Sequence, residues 1–277
     1  MKWKQVATPV ASLDAEESRV YLGEHPEGTY TLLDVRQPSE YEKGHIPGAK
    51  LIPLPELSDR AGELDLDKPV IAYCALGGRS RAATQLLAGR GSGEVYNLKG
   101  GIAAWQGAKA VGPAESGMVY LKGDETPQQV ILLAYGMEQG LVDFYERVKA
   151  LAHESEVIEL IGKLAGIEEK HKDKLFALYQ ALEPETRDRR LFEDRIVSGV
   201  MEGGLTGEEF LEKNKPFLNS VETLLSLAMM LEAQALDLYT RYAHKSQDIQ
   251  TRSVLHDIAE EEKGHLATLG GLVEARS

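Results

Sequence analysis

Four side chains recur at a single spacing of 94 residues: Glu138 and Glu232, Tyr145 and Tyr239, Glu168 and Glu262, His171 and His265. Self-similarity of this kind marks an internal duplication, and it constrains the fold more tightly than composition does. Two of the pairs build the motif Glu-x-x-His, as Glu168-Glu169-Lys170-His171 and Glu262-Lys263-Gly264-His265. Residues i and i+3 share one face of a helix, so each motif aims a carboxylate and an imidazole the same way. Glu138 stands among the apolar positions Ile131, Ala134, Leu141 and Tyr145, and Glu232 among Ala228, Leu231, Ala235 and Tyr239. Four uncompensated buried carboxylates would be prohibitive for a domain of ordinary stability. Two divalent ions supply the missing positive charge and coordinate the oxygens. The set Glu138, Glu168, His171, Glu232, Glu262 and His265 therefore reads as a di-metal site, with one Glu from each of two helices and Glu-x-x-His from each of two others. Carboxylate and imidazole donors suit iron, with manganese or another divalent metal as the alternative. Tyr145 and Tyr239 read as packing residues near that site.

The surrounding pattern is helical. Thr126-Pro127-Gln128-Gln129 combines a cap, a Pro at the first helical position and a Gln at the third, and predicts a helix to about Ala152. A second helix is expected from about Ser155 to before Pro184, and a third from the capping box Asn219-Ser220-Val221-Glu222 to about Ala243. A fourth is expected from near Ser246 to the pair Gly270-Gly271. Residues 183–218 form a long connection with short helical pieces such as Glu208–Lys213. Two helical hairpins joined by one long crossover predict an all-α four-helix bundle over 126–277. At the quoted residues the chain resembles the rubrerythrin and bacterioferritin members of the ferritin-like superfamily, over roughly 126–270. That resemblance implies two iron ions per chain that react with peroxide or dioxygen and an external electron donor that resets them. The chain departs from rubrerythrins at Ala235, where that family has a further glutamate, and at His265, where it has a carboxylate. Its symmetric donor set is more similar to that of bacterioferritin.

Residues 1–107 follow another grammar, in which short strands (Thr31–Val35, Lys50–Pro53, Val70–Cys74, Glu94–Leu98) alternate with helices such as Ser12–Leu22 and Ser80–Gly89. Such alternation predicts an α/β domain on a mainly parallel sheet, followed by a linker over 108–125. Cys74-Ala75-Leu76-Gly77-Gly78-Arg79-Ser80 leaves the apolar strand Val70-Ile71-Ala72-Tyr73 and opens a helix. A thiol placed there sees backbone N–H groups and the positive end of a helix, which favour thiolate. Two glycines let the backbone wrap an anion, and Arg79 adds a charged donor. This loop resembles that of rhodanese domains, and so do Asp34-Val35-Arg36, Glu40-Tyr41, Gly44-His45-Ile46-Pro47-Gly48-Ala49, Asn97-Leu98-Lys99-Gly100-Gly101 and Trp105. The resemblance spans residues 5–107 and implies sulfurtransferase chemistry. Cys74 then takes a sulfane sulfur from a donor and passes it to a thiol acceptor, and the amides of Ala75, Leu76, Gly77, Gly78 and Arg79 cradle it. Asp34, Arg36 and His45 are expected to stabilise the fold.

Charge and cysteine usage narrow the partners. Residues 111–277 hold 18 Lys and Arg against 30 Asp and Glu, and residues 1–110 hold 13 against 14. An acidic surface disfavours nucleic acid and anionic lipid. Cys74 is the sole cysteine, which excludes an internal disulfide and a rubredoxin-type Cys-x-x-Cys iron site and suits a reducing compartment. With no long apolar run after Met1-Lys2-Trp3-Lys4-Gln5, the expected location is the cytoplasm. The leading expectation is a bifunctional enzyme that forms a persulfide and carries a di-iron oxidase or peroxidase, as a homo-oligomer with a dimer favoured. An iron-binding ferroxidase or storage protein and a non-enzymatic redox sensor remain the alternatives.

Overall fold

The computed structural model describes residues 11–91, 93–117, 122–196, 201, 207–214, 218 and 220–274, and divides the chain into compact units at residues 1–114 and 115–277. The first unit is built on strands β1 (Ala11–Leu13), β2 (Thr31–Asp34), β3 (Lys50–Leu51), β4 (Val70–Tyr73) and β5 (Val95–Leu98). Between and after them lie helices α1 (Ala15–Glu24), α2 (Pro38–Tyr41), α3 (Leu57–Arg60), α4 (Gly78–Ala88) and α5 (Gly101–Ala104). All strand pairs are parallel, in the order β1-β5-β4-β2-β3. Strand side chains alternate between faces. Leu33, Val70 and Ala72 join one apolar cluster with Leu57, Ala83 and Leu87, while Leu32, Ile71 and Tyr73 join another with Tyr41, Ile46 and Trp105. A parallel sheet covered on both faces needs strands that are apolar throughout, which is what β4 supplies. The connections leaving β2 and β4 run toward opposite edges of the sheet. A crevice therefore opens beyond the carboxyl ends of these two strands, and Cys74 sits there.

One expected helix starts late. Residues 11–13 are a strand paired with β5, and α1 begins after Asp14, whose side chain and that of Glu17 close a reciprocal cap. The Asp14-x-x-Glu17 signal outweighs the helical period that would extend over Ser12 and Leu13.

The second unit is mostly helical. It contains α6 (Pro127–Leu151), α7 (Ser155–Leu182), α8 (Arg189–Glu193), α9 (Gly207–Asn214), α10 (Val221–Lys245) and α11 (Ile249–Glu274). Thr126 and Gln129 cap α6 reciprocally, with Pro127 at its first position. Helix α10 is capped by Ser220, which accepts from the Thr223 amide, and the expected cap Asn219 lies outside the described residues. The fourth long helix starts at Ile249, three residues later than Ser246, and runs through Gly270-Gly271 to Glu274. Burial of Leu269 and Leu272 against the interior offsets the roughly 1 kcal/mol that each glycine costs. Ala110 pairs with His45 in the first unit, while the Ser116 and Gly117 carbonyls accept from Arg241 and Tyr242 in the second. No described helix is long and apolar enough to cross a membrane.

Helix α6 packs along α7 and α10 along α11, with further contacts from α6 to α11 and from α7 to α10. The apolar interior falls into two clusters. Residues up to Met137 on α6, from Leu175 on α7, from Ala235 on α10 and up to Ala259 on α11 belong to one. Residues from Leu141, up to Ala165, up to Leu231 and at Leu269 belong to the other. The helices therefore run antiparallel within each hairpin, and a polar layer remains at the waist between the clusters.

Candidate functional site

Two chemically distinct centres emerge, one in each unit. In the first, Cys74 follows β4 and is 2% exposed. Gly77 caps α4 with a φ of +91°, a left-handed conformation that glycine adopts without strain. Its amide donates to Cys74 Sγ at 3.1 Å. Ser80, fully buried on the first turn of α4, places its hydroxyl 3.4 Å from Sγ and 2.7 Å from Asn97 Oδ1. Burial pushes the thiol pKa up. The Ser80 hydroxyl and the amides of Ser80, Leu76 and Gly77 outweigh that, and Cys74 titrates below its ordinary value. The structure thus brings Leu76, Gly77 and Ser80 amides to the sulfur, with Gly78 as the first residue of α4.

Ala75 does other work, and Arg79 divides its charge between Cys74 and Glu40. The Ala75 carbonyl accepts from Ala103, the Cys74 carbonyl accepts from Ile102, and Leu76 projects outward with 76% of its surface exposed. Arg79 turns to Glu40 on α2, and both of its terminal nitrogens donate to the carboxylate at 2.7 Å. That fork lowers the Glu40 pKa to about 2 and raises that of Arg79. Asp34, Arg36 and His45 are buried beside the crevice. Arg36 donates to Asp34 and to the Gly44 carbonyl at 2.8 Å, and the His45 ring stacks on Tyr41. These contacts tie the ends of β2 and α2 together.

The second centre fills the polar waist of the helical unit. Glu138, Glu168, Glu232 and Glu262 are each at most 3% exposed, and His171 is 4% exposed. His171 Nδ1 lies 3.2 Å from Glu138 Oε1 and 4.0 Å from Glu168 Oε2. His265 Nδ1 repeats this arrangement, at 3.3 Å from Glu232 Oε2 and 3.9 Å from Glu262 Oε2. The two imidazoles stack with centroids 3.6 Å apart. Donor atoms of Glu138, His171 and Glu262 lie within 4.8 Å of one another, as do those of Glu232, Glu262 and His265, and those of Glu168, His171 and His265. Glu262 thus reaches both Glu–His pairs, and Glu168 reaches both histidines. Oxygen and nitrogen donors at such separations fit divalent cations between them. Tyr145 and Tyr239 are 1% exposed, and Tyr239 points its hydroxyl at Met137. A cavity of about 410 Å³ opens on the His171 side and is lined by Glu138, His171, Lys174, Asp257, Glu261 and Glu262.

Residues 20–108 match the rhodanese-like domain family. A sulfurtransferase of Allochromatium vinosum is 42% identical over 74 residues, which are 27% of this chain and 69% of that relative. The chain belongs to the rhodanese family. The thiosulfate sulfurtransferase GlpE of Pseudomonas syringae pv. syringae is similar too, at 37% identity over 75 residues, 27% of this chain and 71% of that one. The uncharacterized protein YqhL of Bacillus subtilis is 51% identical over 76 residues, covering 27% of this chain, which spans only 60% of that relative. The family match ends at residue 108, ahead of the helices that carry the carboxylates.

Within the rhodanese unit, sequence reasoning passes over Ser80, Asn97 and Glu40 as parts of the thiol site. Ser80 directly follows the six-residue loop, and Asn97 and Glu40 stand in motifs shared with rhodanese domains. Their roles depend on contacts 6, 17 and 39 residues apart in the chain, which no local pattern reveals.

Proposed function

We propose that this rhodanese-family chain is a sulfurtransferase carrying a second, ferritin-like di-iron centre. Cys74 thiolate attacks the outer sulfur of a sulfane donor. The donor's S–S bond breaks, its remaining group leaves with the electron pair, and Cys74 keeps the sulfur as a persulfide. An acceptor thiolate then attacks the terminal sulfur, and Cys74 thiolate is the leaving group. The observation that carries this reading is the convergence of the Leu76, Gly77 and Ser80 amides with the Ser80 hydroxyl on Sγ, which favours the anion in both half-reactions. Incubating the protein with a sulfane donor and weighing it intact tests the assignment. One sulfur atom should be gained by wild type, and gain by Cys74→Ser would sink it.

The helical unit is proposed to be a ferritin-like four-helix bundle. Glu138, Glu168 and His171 would hold one iron and Glu232, Glu262 and His265 the other, with Glu168 and Glu262 serving both. Bound iron would supply the redox chemistry toward peroxide or dioxygen, with an external electron donor. The residues themselves set the conditions for it. The buried apolar clusters close the site above and below, the cavity on the His171 side gives access to it, and the carboxylates would compensate the ions' charge. Glu261, itself paired with Lys174, places its Oε2 3.8 Å from His171 Nε2 and adds negative charge on the far side of the ring. Iron analysis of anaerobically purified protein, combined with peroxide consumption, tests this reading. Two ions per chain and peroxide turnover are expected, and a folded protein that retains no metal would overturn it.

A further inference from the structure

The thiol loop holds one charged side chain, Arg79, whose terminal nitrogens are held by Glu40 while its charge also acts on Cys74. Between Cys74 and Ser80 the residues are Ala75, Leu76, Gly77, Gly78 and Arg79. Both terminal nitrogens of Arg79 donate to Glu40, in the bidentate geometry by which a guanidinium otherwise grips an oxyanion. The Glu40 carboxylate is further fixed by the Gln37 amide at 3.1 Å, which is part of the cap of α2. The pair is about one third exposed on each side, so it stands at the mouth of the crevice rather than in its floor. Leu76 offers apolar surface on the same loop.

We propose that Glu40 is a specificity-determining residue that favours monoanionic organic persulfides over thiosulfate as sulfur donors to Cys74. The proposal rests on the sulfurtransferase reading and names the donor class for that same site. Thiosulfate carries two negative charges, shared between its outer sulfur and a sulfonate group that needs cationic or amide donors. Here it meets a guanidinium whose fork is filled and a carboxylate that repels it. To use Arg79 it must displace Glu40 or sit beside it. An organic persulfide brings a single charge, on the sulfur pair itself, and its carbon group can lie against Leu76. The step balances in either case. Cys74 thiolate and thiosulfate give the Cys74 persulfide anion and sulfite, while Cys74 thiolate and a persulfide anion give the Cys74 persulfide anion and the donor thiolate.

The test compares kcat/KM for Cys74 persulfidation by thiosulfate and by ethyl persulfide, in the full-length wild type, Glu40→Gln and Glu40→Asp. Removing one charge next to the donor should raise the thiosulfate-to-persulfide ratio about tenfold in Glu40→Gln, chiefly through the KM for thiosulfate. Glu40→Asp, which keeps the charge, should hold the wild-type ratio. An unchanged ratio in Glu40→Gln, including one in which both donors slow equally because Arg79 is misplaced, would overturn the proposal while leaving the sulfurtransferase reading intact. Wild type that takes sulfur from neither donor would sink both.

Discussion

The two centres are assembled by opposite strategies. The donors around the thiol come from seven consecutive residues, Cys74 to Ser80, and are mainly backbone amides fixed by a strand end, a left-handed glycine and the start of α4. The carboxylate cluster draws six side chains from four helices, from Glu138 to His265, and its backbone contributes only spacing. An amide site tolerates changes of side chain but not of backbone path. A side-chain site tolerates shifts in loops and caps but loses function with any donor.

The largest effect expected from this contrast is at the atom that amides cannot replace. Cys74→Ser should abolish persulfide formation altogether in intact mass measurements, with the fold unchanged, because oxygen is a poor nucleophile toward sulfane sulfur. In the helical unit, Glu168→Ala or Glu262→Ala should remove more bound metal than Glu138→Ala or Glu232→Ala, since the first two reach both halves of the cluster. The same variants should lose most of the stabilisation that metal gives wild type in thermal melts. For saturating metal that stabilisation is on the order of 4 kcal/mol. Equal metal loss in all four variants would break the picture of two shared carboxylates.

A backbone-path change makes a sharper probe of the thiol site. A Cβ on Gly101 would fall 2.2 Å from the Cys74 carbonyl oxygen, too close for any rotamer change to relieve. Gly101→Ala should therefore slow sulfur transfer and cost about 2–4 kcal/mol of stability, read in a denaturant titration of the chain. The smallest expected effect is at Ser80. Its hydroxyl favours thiolate, so Ser80→Ala should move the midpoint of Cys74 alkylation against pH upward. The reaction should slow by a few fold at neutral pH and reach the same plateau in alkali. A midpoint that stays put would leave the amides as the whole source of the depression.

Legibility from sequence followed the same divide. The β4–loop–α4 segment could be read directly, because an apolar strand, a cysteine, two glycines and a helix start lie side by side. Its supports could not. Glu40 reaches Arg79 across 39 residues, and Gly101 presses under a carbonyl 27 positions earlier in the chain, so only the folded sheet brings them together. Residues 11–13 illustrate a different limit. A three-residue edge strand is too short to show a period of two, and its pairing with β5 decides its form. In the helical unit the repeat at 94 residues made the buried cluster of carboxylates and imidazoles legible, but it did not mark the helix ends. Gly270-Gly271 looks like a stop, but the packing of Leu269 and Leu272 carries α11 past it.

The two hairpins also match in their connections: residues 152–154 join α6 to α7, and residues 246–248 join α10 to α11. A single hairpin of this design carries half of a self-complementary donor set, so two identical copies related by a two-fold axis would complete it. Joining the copies in one polypeptide releases them from that symmetry, because a substitution in one no longer appears in the other. Position 167 shows the release already used. Ile167 stands in the first hairpin where the second has Glu261, so His171 faces a carboxylate supplied by a partner half that need not return the favour.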